Sequence, residues 1–335
     1  MDRARQRLLA ARHVYIVCHI TPDGDAIGSL LGMGTALQKL GKTCTLACPD
    51  PLSAKLAFLP SARQVISDPP TDQDTIVTVD VSDIGRLGSA YVAETFRSRP
   101  VINIDHHVTN TRFGSINLIR PLPSTAEVVL GLVRRLGVPL DTDIASALLM
   151  GLITDTRCFR TGNVTTRQLR TAIALMNAGA PLADLTEHLF NCEPLSTVRL
   201  WGQALAAVQT RDGVIWAEIS QEMMRRSAAT PSDADGLSSF LASTAGMDGA
   251  LVFREQEDGR IEVSMRAGPG HDLSGVAVAL GGGGHARAAG CTVDGPMNRA
   301  RVRVLDAVVN ALRGEAAPGR PEAGALGPPG QAGGA

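Results

Sequence analysis

The stretch HITPDGDAIGS, His19 to Ser29, decides how the first half of this chain is read. It closes the apolar run VYIVCHI (Val14 to Ile20) and opens AIGSLLGMGTALQKLG, whose apolar residues recur at helical spacing with Gly41 placed to end the helix. Pro22, Asp23 and Gly24 make an ordinary turn from strand to helix, since proline sets φ and glycine tolerates positive φ. The same segment also places one histidine and two aspartates within seven residues. A turn and part of a metal site are both consistent with it.

Outward from that segment the strand–helix alternation continues. TCTLAC (Thr43 to Cys48), TIVTVDV (Thr75 to Val81) and VINID (Val101 to Asp105) read as further strands. STAEVVLGLVRRLG has Ser124 followed three residues later by Glu127, the pattern of a capping box, and DTDIASALLMGLITD and TTRQLRTAIALMNAG read as two more helices. This order predicts an α/β fold with a parallel sheet flanked by helices. Past a less regular helical region come the strands VIWAEIS, GALVFRE and IEVSMRA, the helix SGVAVALG and the glycine run GGGGHARAAG, Gly281 to Gly290. The expected division is an α/β domain over 1–190 and a connecting linker or helix over 191–205. A smaller α/β domain with a mixed sheet follows over 206–313, and the Gly-, Ala- and Pro-rich stretch 314–335 is expected to be a disordered tail.

Bulk composition narrows the partners. Hydrophobic residues make up 44% of the 335, enough for sizeable cores. No apolar run reaches membrane-spanning length and the N-terminal segment is charged rather than signal-like, so a soluble, cytoplasmic protein with no membrane partner is expected. Basic and acidic residues nearly cancel, 32 against 33, and only 3% are aromatic. Both argue against coating long nucleic acid and leave room for a small anionic substrate. The six cysteines form no C-x-x-C pair, which argues against a thiolate zinc cluster.

The position of acids and histidines carries the functional signal. His19, Asp23 and Asp25 follow the first strand, Asp80 ends the third, and Asp105, His106 and His107 end the fourth. Side chains at the carboxyl ends of parallel strands converge on one crevice. Asp155 ends an apolar helix, where a negative charge is unfavourable without another reason for it. Each piece alone has a plain structural reading: a turn, a cap competing with Ser82 and Asp83, a polar strand end. Their conjunction is hard to explain by turn chemistry. Mostly carboxylate oxygen with imidazole suits Mn²⁺ or Mg²⁺, and crowded carboxylates repel unless cations neutralise them.

In this order, H-x-x-x-D-x-D at His19, Asp23 and Asp25, the strand-end Asp80, the D-H-H triplet at 105–107 and Asp155 resemble the DHH superfamily of phosphoesterases. GGGGHARAAG, preceded by VSMRA, resembles its DHH-associated domain of the first type, and the likeness runs from about Val14 to about Ala311. Length and spacing are most similar to the compact branch of oligoribonucleases that also act on 3'-phosphoadenosine 5'-phosphate, and to related hydrolases of linear or cyclic dinucleotides. RecJ-like exonucleases carry further domains for which this chain has no room. Family II pyrophosphatases have a second domain of another type.

The resemblance implies two Mn²⁺ ions, with Mg²⁺ as the alternative. One would be held by His19, Asp23 and Asp80, the other by Asp25, Asp80, His106 and Asp155, with Asp80 bridging. His107 would contact the phosphate or hold a ligand, and Asp105 would orient a neighbouring histidine. Hydrolysis of a phosphoester by a water activated between the ions is then expected. Arg266, Gly282, Gly283, Gly284, His285 and Arg287 are the expected substrate-binding residues, with backbone N–H groups and charge to hold an anion. If both domains hold one substrate, the cleft between them limits it to short oligonucleotides or small nucleotides. A homodimer is compatible with this reading. The rivals are a cyclic-dinucleotide phosphodiesterase and a nucleotide-binding regulatory module without catalysis.

Overall fold

The computed structural model describes residues 1–53 and 55–314. Of the tail expected over 314–335, all but Gly314 lies outside the described residues. Two compact units make up the chain, Met1–Cys192 and a second that begins at Glu193.

The first unit runs α1 (Asp2–Ala10), β1 (His13–Val17), α2 (Gly24–Lys39), β2 (Thr43–Ala47), β3 (Val65–Ile66), β4 (Thr75–Val79), α3 (Ala93–Ser98), β5 (Val101–Asp105), β6 (Ile116–Ile119), α4 (Thr125–Arg135), α5 (Thr142–Asp155), α6 (Thr166–Asn177) and α7 (Leu182–Thr186). Its sheet is parallel throughout, in the order β3-β2-β1-β4-β5-β6. β4 and β5 are buried at every position, which is why they are mostly apolar without strict alternation, and the buried Thr78 hydroxyl donates to Asn103 Oδ1 at 3.1 Å. Along β1 the side chains divide by parity. Val14 and Ile16 join the large core with α2, α4 and α5, while Tyr15 and Val17 join Ile76, Leu87, Phe96 and Val101 on the other face. The chain builds outward from β1 to β3, then returns to the other side of β1 with β4. That reversal opens a crevice beyond the carboxyl ends of β1 and β4, the usual ligand position in such sheets.

Several local expectations change. α1 was not legible as a helix in the charged N-terminal segment, yet it buries Ala4 and Leu8. β3 and β6 are too short to show a pattern. Ser124 caps α4 by accepting from the Glu127 N–H, but the reciprocal bond of a capping box is not formed. The Glu127 carboxylate instead accepts from Gln168 Nε2 of α6 at 2.9 Å. The complete capping box belongs to Thr165 and Gln168. Asp83 caps the short 3-10 turn Ile84–Ala90, which leaves Asp80 free of capping duty.

The second unit runs α8 (Leu195–Ala206), β7 (Gln209–Arg211), β8 (Val214–Ile219), α9 (Gln221–Ser227), α10 (Leu237–Leu241), β9 (Gly249–Glu255), β10 (Ile261–Ala267), α11 (Ser274–Ala279), β11 (Gly283–His285), β12 (Ala288–Val293) and α12 (Met297–Leu312). Its sheet, ordered β11-β12-β10-β9-β8-β7, is mixed: β8 and β9 are parallel and the other pairs antiparallel. Val214 and Trp216 pack with α11 and α12, whereas Ile215, Ala217 and Ile219 pack with α8 and α10. Helices therefore cover both faces of this sheet. Among the described residues no helix is long and apolar enough to cross a membrane.

Candidate metal centre

Every acid and histidine singled out in the first half reaches the crevice edge of the first sheet by its own route. His19 follows β1, Asp80 follows β4, and Asp105 is the last residue of β5 with His106 and His107 directly after it. Asp23 is the N-cap of α2, its Oδ1 accepting from the N–H groups of Asp25 and Ala26 at 3.0 Å each. The turn before it takes its left-handed residue at Thr21 (φ 48), not at Gly24 as the sequence suggested. Gly24 is required for another reason: a Cβ there would lie 2.2 Å from Thr154 Oγ1. Four residues on, a Cβ at Gly28 would lie 2.3 Å from the Ala147 carbonyl oxygen and 2.8 Å from Gly151 N. α2 and α5 thus run antiparallel with their backbones in contact, and this seam carries Asp155 at the end of α5 to the start of α2.

Asp80 has φ 61, a left-handed conformation that is uncommon outside glycine and is often retained at functional sites. It is buried and faces three imidazoles. Its Oδ2 is 3.5 Å from His19 Nε2, and its Oδ1 is 3.6 Å from His106 Nε2 and 3.7 Å from His107 Nδ1. His106 Nδ1 lies 2.9 Å from the Leu122 carbonyl, which can only accept, so Nδ1 carries the hydrogen. Nε2 then faces Asp155 Oδ2 at 3.2 Å and Asp80 across gaps that only a cation, a proton or a metal ion, can fill. His19 Nδ1 lies 2.6 Å from the Ile20 carbonyl, which fixes the same tautomer, although Arg86 Nη2 also approaches it at 2.7 Å.

Two groups of ligand atoms follow. His19, Asp23 and Asp80 offer one set, and Asp25, His106 and Asp155 another, each with its atoms within 4.8 Å of one another. Asp80 also falls in a third set with Asp105, His106 and His107. Nitrogen and carboxylate oxygen without sulfur fit a hard divalent cation such as Mn²⁺ or Mg²⁺.

The supports around these groups were mostly missed in the sequence. Thr125, at the start of α4, donates its backbone N–H to Asp25 Oδ2 at 2.6 Å and its hydroxyl to Asp80 Oδ1 at 2.8 Å. Ala126 N–H completes the grip on Asp25 at 2.9 Å. Asp105, fully buried, accepts from the His107 ring and the His106 backbone N–H at 2.8 Å each. Asn110 Nδ2 donates to the other Asp105 oxygen at 2.6 Å and to the Val81 carbonyl at 2.9 Å. The only signals for Thr125 and Asn110 were their places beside the Ser124 cap and after the D-H-H triplet.

Crowding dominates the electrostatics. Burial, then the charges of Asp80, Asp155 and Asp23, push the Asp25 carboxyl well above the usual range. Burial and the charges of Asp23, Asp80 and Asp105 do the same to Asp155. Asp80 goes the other way. Burial would raise it, but the His19 hydrogen bond and the His106, His19 and His107 charges bring it down to about 2. Burial would lower His19, yet its hydrogen bond to Asp80 and the Asp23 and Asp80 charges leave it raised. Carboxyls that resist ionisation in the absence of cations are what a cation site looks like before it is filled.

In the second unit, Arg266, Ala288 and His285 share one register row across β10, β12 and β11, so Arg266 and His285 reach the same end of that sheet. Arg266 Nε donates to Ser239 Oγ at 3.1 Å, and Arg287 Nε to the Ala267 carbonyl at 3.4 Å. The glycine run forms an edge hairpin rather than an open loop. A Cβ at Gly282 would lie 2.0 Å from the Gly290 carbonyl oxygen, and Gly284 has φ 136. Gly283 has open space where its Cβ would be.

Comparison with known proteins places this architecture. Residues 13–152 match the DHH family N-terminal domain, and residues 213–315 match the DHHA1 domain. The chain is 37% identical over 306 residues to a bifunctional oligoribonuclease and PAP phosphatase of Thermus thermophilus, covering 89% of this chain and 90% of that one. It is 26% identical over 281 residues to the protein of the same description from Bacillus subtilis, covering 82% and 87%. The crystal structure of an exopolyphosphatase-related protein from Bacteroides fragilis shares the fold with a TM-score of 0.85 at 23% identity, covering 93% of this chain and 95% of that one.

Proposed function

This chain belongs to the DHH family, with a DHHA1 domain after its first half, and from that premise we propose that it is a metal-dependent phosphoesterase of short oligonucleotides and of 3'-phosphoadenosine 5'-phosphate. The observation that carries the reading is His106. Its Nδ1 is committed to a backbone carbonyl and its Nε2 faces two carboxylates with room for a cation. The names of the relatives support the substrates.

In this reading His19, Asp23 and Asp80 would hold one divalent cation, and Asp25, His106 and Asp155, with Asp80 shared, would hold the second; manganese is the proposed ion. Cations in such a site supply Lewis acidity and a water of lowered pKa. The chain's own part is positioning and proton handling. The α4 N-terminus fixes Asp25 through two N–H groups, and the Thr125 hydroxyl fixes the shared Asp80. His107, held by Asp105 through Nδ1, is proposed to turn Nε2 to the substrate phosphate and to steady the proton on the departing oxygen. Arg266, Gly283, His285 and Arg287 are proposed to contribute substrate contacts from the second unit, where Gly282 and Gly284 keep the hairpin closed.

A substrate panel with Mn²⁺ tests the reading. It compares short oligonucleotides, 3'-phosphoadenosine 5'-phosphate, cyclic dinucleotides and long strands. Hydrolysis of the first two is expected, with long strands slow. Asp80→Ala is expected to lose about a thousandfold or more in rate, the several kcal/mol that such electrostatic stabilisation is worth. Undiminished hydrolysis by that variant refutes the site, and equal rates on long strands refute the substrate class.

A further inference from the structure

Directly after Asp155 the backbone does something costly. Arg157, Cys158 and Phe159 have φ values of 48, 57 and 64, three consecutive left-handed residues with no glycine among them. L-residues pay for each such conformation because Cβ crowds the following carbonyl, and only single glycines or asparagines adopt it routinely. Strain of this kind persists where the surroundings over-determine it, and it clusters at functional sites.

Here Thr156 over-determines it. Fully buried, Thr156 bonds the Leu152 carbonyl through both its N–H (3.2 Å) and its hydroxyl (2.6 Å). Its hydroxyl oxygen accepts from Phe159 N–H at 3.1 Å, and its carbonyl accepts from the N–H groups of Arg160 (2.8 Å) and Thr161 (3.2 Å).

The turn carries two exposed arginines, neither in an ion pair among the described residues. Arg160 folds back and donates Nε to the Arg157 carbonyl at 2.8 Å. The Arg157 side chain is exposed and its guanidinium makes no hydrogen bond or ion pair among the described residues, although Asp155 is two residues away. Glycine at 157 would satisfy the same backbone without strain. An arginine there, strained and unpartnered beside a carboxylate cluster that attracts cations, is accounted for by an anion it meets in use. A guanidinium grips phosphate oxygens through paired N–H donors.

Resting on the proposed phosphoesterase activity, we propose that Arg157 is a substrate-binding residue, a phosphate clamp carried next to Asp155 in the chain by the left-handed turn that Thr156 fixes. The test is steady-state kinetics and thermal unfolding of Arg157→Gly and Arg157→Lys in the full-length, Mn²⁺-loaded enzyme. Arg157→Gly removes the clamp and the strain together. Its KM for a short oligonucleotide is expected to rise about tenfold or more, as for loss of a charged hydrogen bond, with kcat within about twofold and the melting temperature equal or higher. Arg157→Lys keeps a charge but not the fork, and its KM is expected to fall between the two. A KM for Arg157→Gly within about twofold of wild type, with a raised melting temperature, overturns the assignment: the turn is then merely tolerated strain. A wild-type enzyme inactive on every substrate of the panel sinks the parent reading and this inference together, whereas an active wild type with an indifferent Arg157→Gly sinks this inference alone.

Discussion

One substitution, made at two helical glycines, should move stability in opposite directions. Glycine to alanine inside a helix ordinarily stabilises by about 0.5–1 kcal/mol, because the unfolded chain loses freedom. Gly202, inside α8, has nothing within 4 Å of its Cβ position, so Gly202→Ala should show that gain. Gly28, inside α2, would bring its Cβ to 2.3 Å from a carbonyl oxygen and 2.8 Å from a backbone nitrogen of α5. Backbone cannot swing aside as a flexible side chain can, so the helices must part. Overpacking of this kind costs about 1–3 kcal/mol, leaving a net loss of up to about 2 kcal/mol once the propensity gain is subtracted. Thermal unfolding reads the difference, at about 2–4 °C per kcal/mol for a chain segment of this size. Parting the helices also moves Asp155 from Asp25, so added Mn²⁺ should raise the Gly28→Ala midpoint less than it raises wild type. A Gly28→Ala midpoint raised above wild type, as expected for Gly202→Ala, would refute the backbone-contact account of the seam.

Three further outcomes are expected. Thr125→Val keeps the shape of the α4 start but removes the hydroxyl on Asp80, and Mn²⁺ affinity by titration should fall about 10- to 100-fold; unchanged affinity would show that the hydroxyl does not position Asp80. Asp25 and Asp155 have raised pKa values when folded, so the folded state holds more protons than the unfolded one and metal-free stability declines as pH rises above the ordinary carboxylate range. The raised His19 acts in the same direction, its contribution being lost as pH rises through the folded pKa, while the Asp80 contribution is lost only as pH falls below the ordinary range toward about 2. Urea unfolding in chelator should therefore show a more stable protein at about pH 5.5 than at about pH 8, and Mn²⁺ should remove or invert that order; a metal-free protein that is more stable at the higher pH contradicts the crowding account. Gly283→Ala should unfold like wild type, whereas Gly284→Ala, at φ 136, should destabilise the hairpin; equal midpoints for the two would contradict the hairpin geometry.

The sequence showed the parallel strands β1, β4 and β5 because they are buried almost throughout and mostly apolar, and β2, buried only at Leu46 and Ala47, through its short run of threonine and apolar residues. It showed the acids and histidines because they stand just after such strands or, for Asp155, at the end of an apolar helix, where few structural tasks call for charge. β3 and β6 stayed hidden because two and four residues carry no period. Glu127 misled because a capping-box spacing says nothing of a better donor arriving from α6. Thr125 and Asn110 stayed hidden for a different reason: they act on carboxylates 45 and five residues away, and such bonds exist only once the chain has folded. Gly24 was assigned to the right place for the wrong reason, since a turn glycine and a packing glycine look alike in one dimension.

If the first unit holds cations as proposed, the seam between α2 and α5 also bears on which ions it would accept. Spacing between two carboxylates is usually adjustable by a rotamer or a methylene. Here the helices that carry Asp25 and Asp155 meet backbone to backbone at Gly28, with the Thr154 and Leu148 side chains set against Gly24 and Gly32, a spacing that leaves no room for a Cβ. It works as a gauge with a hard lower stop, and small substitutions can only open it. Opening it suits a larger ion such as Ca²⁺, with oxygen ligands at about 2.3–2.6 Å, over a smaller one at about 2.0–2.1 Å. Drift at Gly28 is therefore biased toward a looser, less discriminating site, and ion preference becomes a property that helix packing guards as much as the ligands do.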